Sequence, residues 1–204
     1  MKTPSVSRFR KGFTLIELLV VIAIIAVLAA AGFAGGAAAM NKARKVTAQA
    51  AATSVATAID QFYSEYSSLP VPNVSNPPTV DNSSPYSTGT ATADGTKLLE
   101  VLVGIDQVQN ERKVKFLSLK EAKSGNRDGV KYGGTVTTPR IDGLYDPWGQ
   151  PYYLVLDYNY DERLDVNPGN GIPSVMLNGR RAAVYSLGVK NTADANRTTL
   201  VKTW

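Results

Sequence analysis

The chain has 204 residues, 22 of them basic and 17 acidic, a formal net charge of +5, and neither cysteine nor histidine. Without cysteine there are no disulfides, thiolate metal sites or cysteine nucleophiles; without histidine the commonest general base, the usual transition-metal ligand and the Ser-His-Asp arrangement are excluded together. At a length of about one domain plus an extension, and with no motif for paired-carboxylate or serine–lysine chemistry, the composition argues against an enzyme.

The first element is N-terminal. Lys2, Arg8, Arg10 and Lys11 precede an apolar run, and removing residues 1–12 takes the basic count from 22 to 18 against 17 acidic. The excess charge therefore sits ahead of the run. The remaining lysines and arginines are scattered, so no nucleic-acid binding is expected of the folded part. From Leu18 to Met40 there is no charged residue, and as a helix this stretch is long enough for a hydrocarbon core of ~30 Å, which needs ~20 residues. The leading basic residues place the N terminus in the cytoplasm and everything after about Met40 on the far side of the membrane. Gly32, Gly35 and Gly36 are the soft points of the expected helix.

Three readings compete for this segment. A cleaved signal peptide fits the basic start, the apolar core and the alanines at 29–31 and 37–39, and a plain membrane anchor fits the length. Neither accounts for Glu17, because a carboxylate at the head of an apolar run costs up to ~3 kcal/mol on insertion scales. The third reading rests on a resemblance.

Beyond Met40, Ala48, Ala52, Val55, Ile59, Phe62, Tyr66 and Leu69 recur at alternating four- and three-residue steps, the stripe of an amphipathic helix. No proline interrupts residues 13–69, and Pro70 supplies a stop, so one long helix is expected over both halves. Residues 70–96, rich in Pro, Ser, Thr and Asn, read as a long variable surface loop. K-L-L-E-V-L-V-G, ending at Gly104, reads as a short helix with a glycine stop, and F-L-S-L-K-E-A-K, residues 116–123, is open between a helical turn and a strand. The last third is β-rich. A turn at D-P-W-G, Asp146 to Gly149, leads into a strand at 150–157; further strands are expected at 181–188 and in T-L-V-K-T-W. A meander against the long helix makes the fold class α+β.

The stretch D-Y-N-Y-D-E-R-L-D places Asp157, Asn159, Asp161 and Asp165 at positions one, three, five and nine of a loop, the spacing of oxygen ligands around Ca²⁺ in an EF-hand. Glu162 stands where that loop needs glycine, and Pro168 where it needs a bidentate glutamate. A polar hairpin turn, whose Asp and Asn side chains cap backbone groups, is the other reading.

K-G-F-T-L-I-E-L-L-V-V-I-A-I-I-A, residues 11–26, resembles the signature of type IV prepilins and of the pseudopilins of type II secretion systems. The resemblance implies cleavage between Gly12 and Phe13 by a prepilin peptidase, N-methylation of Phe13 by the same enzyme, and a Glu17 that pairs with the amino terminus of a neighbouring subunit in a filament. D-P-W-G-Q-P-Y-Y-L, a strand, and V-Y-S-L-G are similar to the C-terminal half of the major pseudopilin, whose lack of a disulfide this chain shares. A pilin-like fold is then expected, with one long N-terminal helix packed on a small antiparallel sheet. Its parts are a leader at 1–12, a transmembrane and filament-core half at 13–40, an amphipathic half at 41–69, and a globular α+β part at 70–204. The implied partners are copies of the same chain, minor pseudopilins, an inner-membrane assembly platform and the prepilin peptidase. The implied place is the bacterial inner membrane and then a periplasmic pseudopilus. No cofactor is required. Major pseudopilins bind calcium in the loop after S-L-G; here Asn191, Asp194 and Asn196 keep oxygens available, with Lys190 where an acidic ligand is expected.

Two alternatives stay open. A true type IV pilin would serve adhesion, motility or DNA uptake. A membrane-anchored or secreted binding module would use aromatic residues such as Trp148 and Trp204, which are more often core or strand-end residues.

Overall fold

The structure, a computed structural model, describes residues 12–82, 84–169, 171–189 and 199–204, with the side chains of 31–35 and 37 outside the description. The chain divides into two compact units, Met1–Ala43 and Arg44–Trp204.

Helix α1 spans Leu15–Tyr66 and runs through Gly32, Gly35 and Gly36 without a break. It ends before the proline stop rather than at it. Ser67 adopts φ 53° and donates its N–H to the Tyr63 carbonyl at 2.8 Å, so the helix closes on a left-handed residue and Pro70 lies beyond. The spacing read from the sequence is the buried face: Ala48, Ala52, Val55, Ile59 and Phe62 are buried, joined by Ala58. Small residues at 48, 52 and 58 let the neighbouring chain approach, and Phe62 fills the wider end, 5.6 Å from Phe116 and 4.7 Å from Tyr66 between ring centroids.

Helix α2, Asp94–Val103, buries Leu98, Leu99, Val101 and Leu102 and stops at Gly104, which takes the left-handed conformation and returns its N–H to α2 carbonyls. Residues 116–123 form neither a turn of helix nor a strand; the segment has no regular element and carries only isolated bridges at Glu121 and Lys123.

The main sheet has four antiparallel strands in the order β1 (Tyr86–Ser87), β4 (Tyr152–Leu156), β7 (Ala182–Ser186), β8 (Val201–Lys202). It is not an uninterrupted meander, because two separate hairpins leave it: β2 (Gly129–Gly134) with β3 (Pro139–Tyr145), and β5 (Arg163–Val166) with β6 (Val175–Asn178). Strand β4 is buried on both faces. Tyr152, Leu154 and Leu156 join the core built on α1 and α2, whereas Val155 faces a second cluster with Leu164, Val166, Ala183 and Tyr185. Trp148 packs against the first cluster and Trp204 against the second.

The Asp146 carboxylate joins two segments that the sequence shows far apart. It is fully buried, accepts the N–H groups of Trp148 and Gln150, each at 2.8 Å, and accepts a hydrogen bond from the Ser186 hydroxyl at 2.6 Å. Ser186 Oγ in turn accepts the Gly188 N–H at 3.2 Å. The turn D-P-W-G and the strand end S-L-G are thus one clasp.

Candidate processing and assembly site

The first candidate site is the start of α1. Thr14 precedes the first helical residue and Glu17 is the third inside it, the S/T-x-x-E spacing of a capping box. Its bonds are present. The Glu17 carboxylate accepts the Thr14 backbone N–H at 2.8 Å and the Thr14 hydroxyl at 2.7 Å, while Thr14 Oγ1 accepts the Glu17 N–H at 3.3 Å. Two donors that the helix start leaves unpaired are satisfied, and the negative charge lies at the positive end of the helix dipole. Glu17 therefore has a reason to stand at the head of an apolar run within its own chain. The signal for this cap is T-L-I-E itself, a capping-box spacing set at the head of an apolar run.

Gly12 and Phe13 lie outside the helix, ahead of Thr14. Phe13 is 79 % exposed, and a Cβ at Gly12 would meet nothing within 4 Å. Among the described residues nothing crowds the bond between them. The apolar side chains that follow are exposed as well, Leu15, Ile22, Ile25 and Leu28 among them. Among the described residues no helix is long and apolar enough to cross a membrane. The stretch expected to do so, 18–40, includes the side chains at 31–35 and 37 that lie outside the description.

The second candidate is acidic. Asp157 and Asp161 come together as the loop spacing requires, yet their third partner is Asp81, from the loop at 70–96, with carboxylate oxygens of all three within 4.8 Å of one another. Asp157 is only 1 % exposed. Its two oxygens accept the N–H groups of Asp161 at 3.2 Å and Glu162 at 2.9 Å. Asn159 Oδ1 also accepts the Asp161 N–H, at 3.0 Å, so the capping reading of this turn holds within the cluster. Asp165 is not brought in. It lies on β5, exposed, opposite Met176, because the turn is complete by Glu162 and the chain is already a strand at Arg163. Left-handed φ at Tyr160 and Glu162 makes the turn without the glycine an EF-hand uses. Burial first, and then the charges of Asp157 and Asp161, push the Asp81 carboxyl above its ordinary pKa, against the pull of the Asn159 and Tyr158 N–H groups. Asn191, Asp194 and Asn196 lie outside the described residues.

Asp81 was invisible as a partner because its contact spans more than seventy positions. What places it is Asn82, whose side chain pairs with β4 as another strand would: Nδ2 donates to the Leu154 carbonyl at 3.0 Å and Oδ1 accepts the Leu156 N–H at 2.9 Å.

Comparison with known proteins bears on the N-terminal segment. Residues 7–33 match the family model of the prokaryotic N-terminal methylation motif. The chain carries a prepilin-like N terminus. The motif marks a substrate of prepilin peptidase and supports a type IV pilin-like, filament-forming protein. The α+β architecture, an N-terminal helix with antiparallel sheets, agrees with it. No curated protein and no solved structure matches the chain.

Proposed function

We propose that this protein is a non-enzymatic structural subunit of a type II secretion pseudopilus. It is cut between Gly12 and Phe13, methylated at Phe13, held in the inner membrane with its globular part in the periplasm, and assembled with copies of itself through α1. The observation that carries the reading is the methylation motif on a helix whose apolar side chains are exposed, a surface that a single copy in water would not leave uncovered. In a filament the Glu17 carboxylate meets the new amino terminus of a neighbour; unpaired in an apolar bundle either charge is costly, so the pair fixes register. The resemblance of D-P-W-G-Q-P-Y-Y-L and V-Y-S-L-G to the major pseudopilin favours the pseudopilin over a type IV pilus pilin.

Capping and assembly are separable at Glu17. Glutamine preserves a capping box, whereas alanine removes it. Glu17→Gln and Glu17→Ala are both expected to abolish ordered filaments in cells while leaving processing intact. Normal filaments from Glu17→Gln would reduce Glu17 to a cap. Intact-mass analysis is expected to give a chain starting at methylated Phe13, and a chain with residues 1–12 attached, or starting near Ala31 or Ala39, would contradict prepilin processing. A secretion defect in a deletion strain, with filaments confined to the periplasm, separates pseudopilus from pilus.

Calcium belongs to the same proposal, at Asp81, Asp157 and Asp161 rather than along the EF-hand spacing. Three carboxylates this close repel one another, and a hard divalent cation with oxygen ligands is what would relieve them. The cation would pin the loop at 70–85 to the end of β4.

A further inference from the structure

An asparagine two residues before serine or threonine, with a non-proline between, is the acceptor pattern for N-linked glycosylation. It occurs at Asn73-Val74-Ser75, Asn82-Ser83-Ser84 and Asn196-Arg197-Thr198. The third lies outside the described residues, and the structure separates the other two.

Asn82 is half-buried with both ends of its amide engaged: Nδ2 donates to the Leu154 and Ser84 carbonyls and Oδ1 accepts the Leu156 N–H. Turning that amide outward would strip the edge of β4 of its partner. Asn73 is in the opposite state. Asn73, Val74 and Ser75 are all exposed in a turn; Asn73 Oδ1 accepts the Ser75 N–H at 3.0 Å, and Nδ2 has no hydrogen-bond partner among the described residues. The loop is pinned on one side by Val71, whose N–H and carbonyl both bond the Gln109 side chain at 2.8 Å, and on the other by Asn82. Pro72, Pro77 and Pro78 deny the stretch the N–H groups that strand pairing needs. The acceptor is presented, and it cannot readily be folded away.

We propose that Asn73 is an N-glycosylation acceptor for a polyprenyl-diphosphate-linked oligosaccharide and that Asn82, in the folded chain, is not. The inference rests on the proposed topology only in placing this loop on the far side of the membrane. In the reaction Asn73 Nδ2 attacks the anomeric carbon, the bond from that carbon to the diphosphate oxygen breaks, polyprenyl diphosphate leaves with the electron pair, and one amide proton passes to a base of the transferase. No oxidant or reductant is required.

The test uses the full chain in detergent carrying Asn196→Gln, incubated with a single-subunit oligosaccharyltransferase and its lipid-linked glycan beside a control acceptor peptide, followed by peptide mass mapping. Glycan is expected on Asn73 and none on Asn82, with the signal abolished in Asn73→Gln and in Ser75→Ala. An unmodified Asn73 beside a modified control peptide overturns the proposal, as does glycan on Asn82 at matching occupancy. Membrane topology does not enter a reaction run in detergent. A chain glycosylated here that retains residues 1–12 in its own cells would leave this site standing and remove the prepilin reading.

Discussion

Asp146 shows what one buried carboxylate does in this molecule. Burial pushes its pKa up, while hydrogen bonds from the Ser186 hydroxyl and the N–H groups of Gln150 and Trp148 pull the other way without cancelling it. A carboxyl whose folded pKa is raised binds its proton more readily in the fold than in the unfolded chain. Its contribution to stability therefore falls as pH rises from about 4, the unfolded value, through the folded one, and is constant above that. The stability difference between the wild-type chain and Asp146→Asn, from urea unfolding at a series of pH values, should fall across that window, and a flat difference would refute the assignment. Asp146→Ala leaves three donors without their acceptor and is expected to cost about 3 kcal/mol. At the acidic cluster, calcium is expected to raise the melting temperature of the wild-type chain. The shift should be lost in Asp161→Ala and Asp81→Asn and kept in Asp165→Ala. Loss in Asp165→Ala would favour the EF-hand spacing over the observed cluster.

Packing dominates surface charge among the elements. The ion pair between Arg112 and Glu65 lies on the surface, with the Arg112 side chain 70 % exposed, and exposed pairs contribute ~0–1 kcal/mol. Phe62, by contrast, is buried between Tyr66 and Phe116 at the wide end of the α1 face. Phe62→Ala should lose about 3–5 kcal/mol, read as a lowered urea midpoint, while Arg112→Ala should fall within about 1 kcal/mol of the wild type. The helical periodicity at 48–66 was legible because one face repeats every three or four residues and the other is polar. The hairpins β2–β3 and β5–β6 were not. Strand β2 is half glycine, V-K-Y between glycines, and its register shifts between Lys131 and Tyr132, so neither alternation nor composition marks it. Strand β1 has two residues and exists only because β4 offers it an edge.

For the whole molecule, the buried core among the described residues starts at Ala48, inside the unit Arg44–Trp204. Residues 44–204 alone are expected to fold as a soluble protein whose thermal midpoint matches that of the full chain in detergent. A molten or aggregated fragment would show that the first unit is needed for folding. The exposed apolar start of α1 would then have a structural duty besides assembly.

The sequence by itself determined the methylation motif at 7–33 and the Thr14–Glu17 cap at the start of α1, since a motif, a capping box and an apolar run are all properties of consecutive residues. It determined the buried face of α1 because local periodicity is written in local spacing, and the strands β4 and β7 because each is a run rich in aromatic and aliphatic residues. Only the tertiary structure decided that Asp81 joins Asp157 and Asp161 while Asp165 does not, that Asp146 holds Ser186, and that Asn73 is exposed where Asn82 is half-buried and bonded to β4. Each of these depends on which distant backbone groups a side chain reaches once the core has closed. That is fixed by strand pairing across the sheet, and no stretch of the sequence contains it.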